Sequence, residues 1–121
     1  MTRKTTGILG EIIANRFLTE RGYHIIETNY RCRHGEIDIV AGKDDYLVFL
    51  EVRTKRSTTF GTPEESVTEI KKEHLRAAAN QYRETHADLP SLWRIDFVAV
   101  ELDRVGKLKR IEIIENAIED E

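Results

Sequence analysis

The chain has 121 residues, of which 40% are hydrophobic and 34% charged, with a formal net charge of −3 at pH 7. That length suits one domain with a single core, the composition is that of an ordinary folded chain rather than a disordered one, and the absence of a basic excess argues against a DNA coat protein. The single cysteine, Cys32, can form no internal disulfide, and no apolar run approaches membrane-spanning length, so a reducing cytoplasm and no membrane association are expected.

Ile8, Leu9, Ile12, Ile13, Phe17 and Leu18 recur at helical spacing and Gly22 supplies a stop, so the first element is predicted to be an amphipathic helix ending near Arg21. Glu11 interrupts the apolar residues that follow the basic start before they could form a signal-peptide core. It falls beside the apolar stripe and, on residue type alone, is a charge at the helix rim. Tyr23 to Tyr30 reads as a strand, and Arg31-Cys32-Arg33-His34 as the connection after it. These basic residues suit a phosphate-contacting loop and equally a solvated one.

Gly35-Glu36-Ile37-Asp38-Ile39-Val40 and Leu47-Val48-Phe49-Leu50-Glu51-Val52-Arg53 are rich in β-branched and aromatic residues, with turn residues Gly42-Lys43-Asp44-Asp45 between them. They read as an antiparallel hairpin. Pairing Asp38 with Glu51 puts Ile37, Ile39 and Ala41 opposite Val52, Leu50 and Val48 on one apolar face. The other face then carries Glu36 opposite Arg53, Asp38 opposite Glu51 and Val40 opposite Phe49. A one-residue slip would set apolar side chains against charged ones. Adjacent carboxylates repel unless a proton, a cation or a metal lies between them. Mg²⁺ is held by one or two carboxylates with water and phosphate, so the pair suits a metal-assisted phosphodiesterase. A salt-bridged sheet end using Arg53 is the structural alternative, but with Glu36 opposite Arg53 it leaves Asp38 and Glu51 short of cations.

Thr54 to Gly61 is polar and basic and reads as a flexible loop. Thr62-Pro63-Glu64-Glu65 has the capping-box pattern of a helix start, and Thr68 is a second candidate cap. The helix continues through Ile70, Leu75, Ala78, Ala79 and Tyr82, with Lys71, Lys72, His74 and Arg76 forming a basic edge that could guide a nucleic-acid backbone or be ordinary helix surface. After a break at 86–90, Leu92 to Leu102 and Leu108 to Ile114 read as strands joined by a turn at 103–106, followed by a short acidic tail, 115–121. A hairpin apolar on both faces needs cover on both sides, which points to a mixed sheet flanked by helices.

Asp38 followed at the right distance by Glu51-Val52-Arg53 resembles the Asp…(Asp/Glu)-x-Lys signature of restriction-endonuclease-like nucleases. The ordered set Gly10-Glu11, Gly22-Tyr23, Asn29-Tyr30-Arg31, Gly35-Glu36-Ile37-Asp38, Glu51-Val52-Arg53 and Arg94-Ile95-Asp96-Phe97 resembles an uncharacterised bacterial family, the YraN-type proteins. These are similar in turn to archaeal Holliday-junction resolvases. The resemblance implies an α/β, restriction-endonuclease-like single domain over residues 1–121 and a nucleic-acid partner, with DNA, including branched DNA, as substrate. It also implies a possible homodimer. In the nuclease reading, Asp38, Glu51 and the Val52 carbonyl hold Mg²⁺ or Mn²⁺, and Glu11 matches a first-helix glutamate that reaches the metals. Arg31, Arg33, Lys55, Arg56, Lys71 and Lys72 are the candidate nucleic-acid contacts. Arg53 departs from the lysine of the signature; it can clamp phosphate but cannot accept a proton near neutral pH, and Lys55 on the same strand face is a partial substitute. Asp96 is given no catalytic role. An inactive nucleic-acid-binding module and a protein-interaction domain are the alternative readings.

Overall fold

The computed structural model describes residues 1–118. Thr2 opens the first helix, α1 (Arg3–Glu20): its hydroxyl accepts from the Thr5 backbone N–H while the Thr5 hydroxyl accepts from the Thr2 N–H, a reciprocal cap. Gly22, at φ +85°, turns the chain out of the helix as expected. The buried side of α1 is shifted from the expected one: it centres on Thr6, Gly10, Ala14 and Leu18 with Leu9 and Ile13 packed at its margin, whereas Ile8 and Ile12 are 49% and 58% exposed. The reason is close approach: a Cβ on Gly10 would lie 1.8 Å from the Thr54 hydroxyl, so the helix seats on the sheet through a groove too shallow for isoleucine.

Five strands follow: β1 (His24–Cys32), β2 (Gly35–Lys43), β3 (Tyr46–Lys55), β4 (Leu92–Leu102) and β5 (Leu108–Ile114). They form one sheet in the order β1-β2-β3-β4-β5, antiparallel throughout except for β3 beside β4. The parallel pair requires a crossover, which is supplied by the second helix, α2 (Glu69–Thr85). α1 covers one face, over Ile39, Ala41, Val48, Leu50, Val98 and Val100. α2 covers the other, over Val40, Leu47, Phe49, Ile95 and Phe97. This mixed sheet with a helix on each face is the α/β restriction-endonuclease-like fold. No helix among the described residues is long and apolar enough to cross a membrane.

The hairpin register is the expected one where the ladder forms: Ile39 pairs with Leu50, Val40 with Phe49 and Ala41 with Val48, closing on a two-residue turn with Asp44 at φ +53°. Beyond Ile39 the alternation fails. Ile37 packs with the α2-side core, not beside Ile39 under α1. On the neighbouring strand Asn29, between the Thr28–Ile39 and Tyr30–Ile37 pairs, has left-handed backbone at φ +54°, which rotates the strands locally and breaks the pleat.

Other boundaries shift for identifiable reasons. Arg31 and Cys32 belong to β1, because the strand keeps pairing with β2 as far as Cys32–Gly35. Thr54 and Lys55 belong to β3, held by β4. The Thr62–Glu65 capping box forms, with Thr62 N–H to Glu65 Oε1 at 2.9 Å, but it caps only a 3-10 turn, Glu64–Ser66; α2 begins at Thr68, whose hydroxyl accepts from the Lys71 N–H. The expected acidic tail is docked at its start: Ala117 N–H donates to the Ile95 carbonyl at 2.8 Å and Ile118 is buried. Residues 119–121 of that tail lie outside the described residues.

Candidate active site

At the point where β2 and β3 stop pairing, the Asp38 side chain takes over from the ladder: its Oδ2 accepts the Val52 N–H at 2.7 Å. A carboxylate is thereby fixed between two splayed strands. Glu51, one residue earlier on β3, points to the α2 side and is only 2% exposed. Burial, then the charge of Asp38 and a hydrogen bond to Asp38, push the Glu51 carboxyl up to about 8. Near neutral pH Glu51 therefore holds its proton, which relieves the repulsion expected of neighbouring carboxylates.

Two cations approach Glu51 Oε2: Arg53 Nη1 at 3.5 Å and Lys71 Nζ at 3.6 Å. Arg53 is held from behind by Ser66, with Nε donating to the hydroxyl at 3.1 Å and Nη2 to the carbonyl at 3.3 Å. The 3-10 turn that carries Ser66 is tied to β5 by Glu64 and Arg110, 2.7 Å apart. Lys71 is placed by the Thr68 cap in the first turn of α2. The expected Glu36–Arg53 pairing does not occur. Glu36 pairs with Arg31 at 3.6 Å, because the two stand directly opposite in the β1–β2 ladder while the β2–β3 ladder has already ended at Ile39–Leu50.

On the α1 side lies an open cleft of about 470 Å³ lined by Glu11, Asn15, Asn29, Arg31, Glu36 and Asp38, with Ile8 and Ile12 at its edge. Burial and the charges of Asp38 and Glu36 raise the Glu11 carboxyl above its ordinary range. With its amide nitrogen turned toward the acids, Asn29 donates to Glu36 Oε1 at 3.1 Å and to Glu11 Oε1 at 3.3 Å. Glu11 thus faces Asp38 and Glu36 in the cleft from α1.

Among the described residues no three His, Cys, Asp or Glu side chains already converge as a cage. The donor set nonetheless fits a hard divalent cation. Asp38 and Glu51 offer carboxyl oxygens close enough to act on each other, and the Val52 carbonyl is adjacent in the chain.

The remaining expected contacts are spread around this centre. Arg31 is engaged with Glu36, Arg33 Nε lies 3.4 Å from His34 Nε2, and Lys72 pairs with Glu69 at 3.2 Å. Lys55 donates to the Gly61 carbonyl at 3.3 Å, so it braces the following loop and is not aimed at Glu51. Arg56 donates to the carbonyls of Met1 at 2.8 Å and Arg104 at 3.4 Å, fastening that loop to the N-terminus. Lys71, expected on the outer edge of the helix, is instead inside the site. Sequence reasoning gave no role to Asn29 or Ser66; Asn29 stood in a recognised motif, whereas Ser66 carried no signal.

The family model for the uncharacterised protein family UPF0102 matches residues 10–100, a span that includes Glu11, Asp38, Glu51, Arg53 and Lys71. A UPF0102 protein of Dehalococcoides mccartyi is 49% identical over 119 residues, covering 98% of this chain and 97% of the relative. Similar proteins from Moorella thermoacetica and Pelotomaculum thermopropionicum are 46% identical over 117 residues and 43% over 115, covering 97% and 95% of this chain and 98% and 96% of the relatives. The chain belongs to the uncharacterised protein family UPF0102, the bacterial family that its ordered motifs resemble.

Proposed function

We propose that the chain is a metal-dependent, endonuclease-like protein that binds DNA and hydrolyses phosphodiester bonds, with branched DNA as the substrate class suggested by its likeness to junction resolvases. The observation that supports this best is Glu51, a carboxyl 2% exposed and pressed against Asp38 at the end of a strand pair that has come apart. An arrangement that costs stability and assembles hard oxygen donors is the kind that functional sites retain. Asp38, Glu51 and the Val52 carbonyl would hold Mg²⁺ or Mn²⁺, with Glu11 completing the shell from α1. A divalent ion there supplies Lewis-acid activation of the phosphate and of water.

The chain's own groups do the positioning. The Val52 N–H orients Asp38, and Ser66 holds the Arg53 guanidinium so that the edge now facing Glu51 can turn to a phosphate oxygen. Lys71 adds a second cation beside it. Arg31, Arg33 and Lys72 at the periphery would reach flanking phosphates by exchanging their present partners Glu36, His34 and Glu69. Pairing of two chains would bring two sites to two strands, and a cytoplasmic location fits the unpaired Cys32. Arg53 itself favours a second reading, a nucleic-acid-binding module without turnover, because the strand carries no proton acceptor at the position of the signature lysine.

Heat unfolding with millimolar Mg²⁺ or Mn²⁺ tests the site. Wild type should be stabilised and Asp38→Asn should not, since the amide oxygen can still accept the Val52 N–H while the charge is lost. No metal response in wild type would remove the metal-dependent enzyme and leave the nucleic-acid-binding module and the protein-interaction role. Incubation with four-way-junction, single-stranded and duplex DNA then separates enzyme from module: cleavage abolished by both Asp38→Asn and Glu51→Gln supports the enzyme, and binding without cleavage supports the module.

A further inference from the structure

Resting on the nucleic-acid reading above, we infer that Phe60 is a stacking platform for an unpaired nucleobase close to the acid pair. Phe60 is 94% exposed, more than any other large hydrophobic side chain among the described residues. It is presented by a formed turn: Gly61 N–H donates to the Thr58 carbonyl at 3.1 Å with Gly61 at φ +107°, and the Ser57 hydroxyl accepts from the Thr59 N–H at 3.3 Å. Lys55 closes the base of this turn through the Gly61 carbonyl, and Arg56 pins it to Met1. Holding a phenyl ring in water on a braced turn gives the fold no burial in return.

Position and surroundings identify the ligand. Lys55 lies four residues beyond Glu51 on the same strand, so at a rise of about 3.3 Å per residue the base of the turn is roughly 13 Å from the acid pair, within a few nucleotides' reach. The segment that carries the ring also carries Ser57, Thr58 and Thr59, with Lys55 and Arg56 engaged at its base. A protein-docking aromatic sits at the centre of an apolar patch with a polar rim, whereas an aromatic among cations and hydroxyls is the make-up of single-strand nucleic-acid sites. Base faces inside a duplex are already stacked. The ring therefore selects nucleotides whose face is free, as in single strands, bulges and frayed branch points.

Phe60→Ala and Phe60→Trp, both at a solvent position that leaves the fold unchanged, are compared with wild type for binding of oligo(dT) and of a blunt duplex at one fixed salt concentration. We expect Phe60→Ala to weaken oligo(dT) binding by about tenfold while altering duplex binding little. The Phe60→Trp protein should lose emission on adding oligo(dT), above the wild-type signal from Trp93, but not on adding duplex. If wild type binds oligo(dT) and Phe60→Ala binds it equally, or the indole is not quenched, this inference is overturned and the proposed function stands. If wild type binds no nucleic acid, the proposed function falls with it. If Phe60→Ala instead lowers the sedimenting mass of the free protein, the ring is a chain-to-chain contact and the inference is overturned.

Discussion

Glu51 couples the site to pH. Burial beside Asp38 raises its folded-state affinity for a proton, to a pKa of about 8 against an unfolded value of 4.5. Between those two values the folded chain holds a proton that the unfolded chain has released, so the contribution of this group makes stability fall as pH rises through the window and level off above about 8. In the absence of divalent ions, urea unfolding of wild type should show lower stability at pH 8 than at pH 6. A tenfold difference in proton affinity is worth about 1.4 kcal/mol, so an effect on the order of 2 kcal/mol is expected between pH 6 and pH 8. Glu51→Gln, which can still donate to Asp38, should flatten this dependence and be the more stable protein at pH 8. Mg²⁺ must displace the Glu51 proton, so its stabilisation of wild type should be larger at pH 8 than at pH 6. A wild-type profile that rises or stays level from pH 6 to pH 8 would contradict a proton held by Glu51.

Helix α1 brings Glu11 to the cleft, and it does so through Gly10. A methyl group there would sit 1.8 Å from the Thr54 hydroxyl and 2.7 Å from its Cβ, on a β-strand that cannot yield. Gly10→Ala gains helix propensity but overpacks the seam, and a net loss of about 1–3 kcal/mol in urea unfolding is expected. Thr54→Ala in the same chain should restore part of it, since the Cβ contact persists. Ile12→Lys, on the exposed flank of the same helix, should change stability by no more than about 0.5 kcal/mol. Hydrophobic periodicity alone ranked these positions the other way. Ile8 and Ile12 carry the apolar signal, but the sheet lies too near for them, and the closeness of one backbone to another is a tertiary property. The hairpin was legible for the opposite reason: with a side-chain period of 2, only one register keeps Val40 with Phe49 and Ile39 with Leu50, but the ladder ends there, and Asp38 accepts the Val52 N–H instead of pairing with Glu51 as that register predicts. Ile37 escaped the same logic because the left-handed backbone at Asn29, on another strand, decides its face. Lys71 escaped because the Thr68 cap, rather than the equally well-formed Thr62–Glu65 box, starts the long helix and sets which way its first turn points.

Charge is distributed unevenly over a molecule whose net charge is −3. Glu11, Glu36, Asp38 and Glu51 gather at one end of the sheet, and the cations nearest them are largely committed: Arg31 to Glu36, Arg53 and Lys71 to Glu51. A phosphate approaching without a divalent ion meets this acidic cluster first, so the field that would hold metal also repels substrate. Chelator and metal should therefore have opposite effects on DNA binding. In EDTA, wild type is expected to bind weakly and the Asp38→Asn/Glu51→Gln protein more tightly; with Ca²⁺ or Mg²⁺ the order should reverse. The salt dependence carries independent information. If Arg31, Arg33, Arg53, Lys71 and Lys72 are the phosphate contacts, log K against log salt for duplex should have a slope of about −4 to −5. Fluorescence anisotropy between 50 and 200 mM salt measures it. A slope near −10 would mean that a much larger basic surface than this one engages the backbone, and a slope near zero would mean that phosphate is not what the protein recognises.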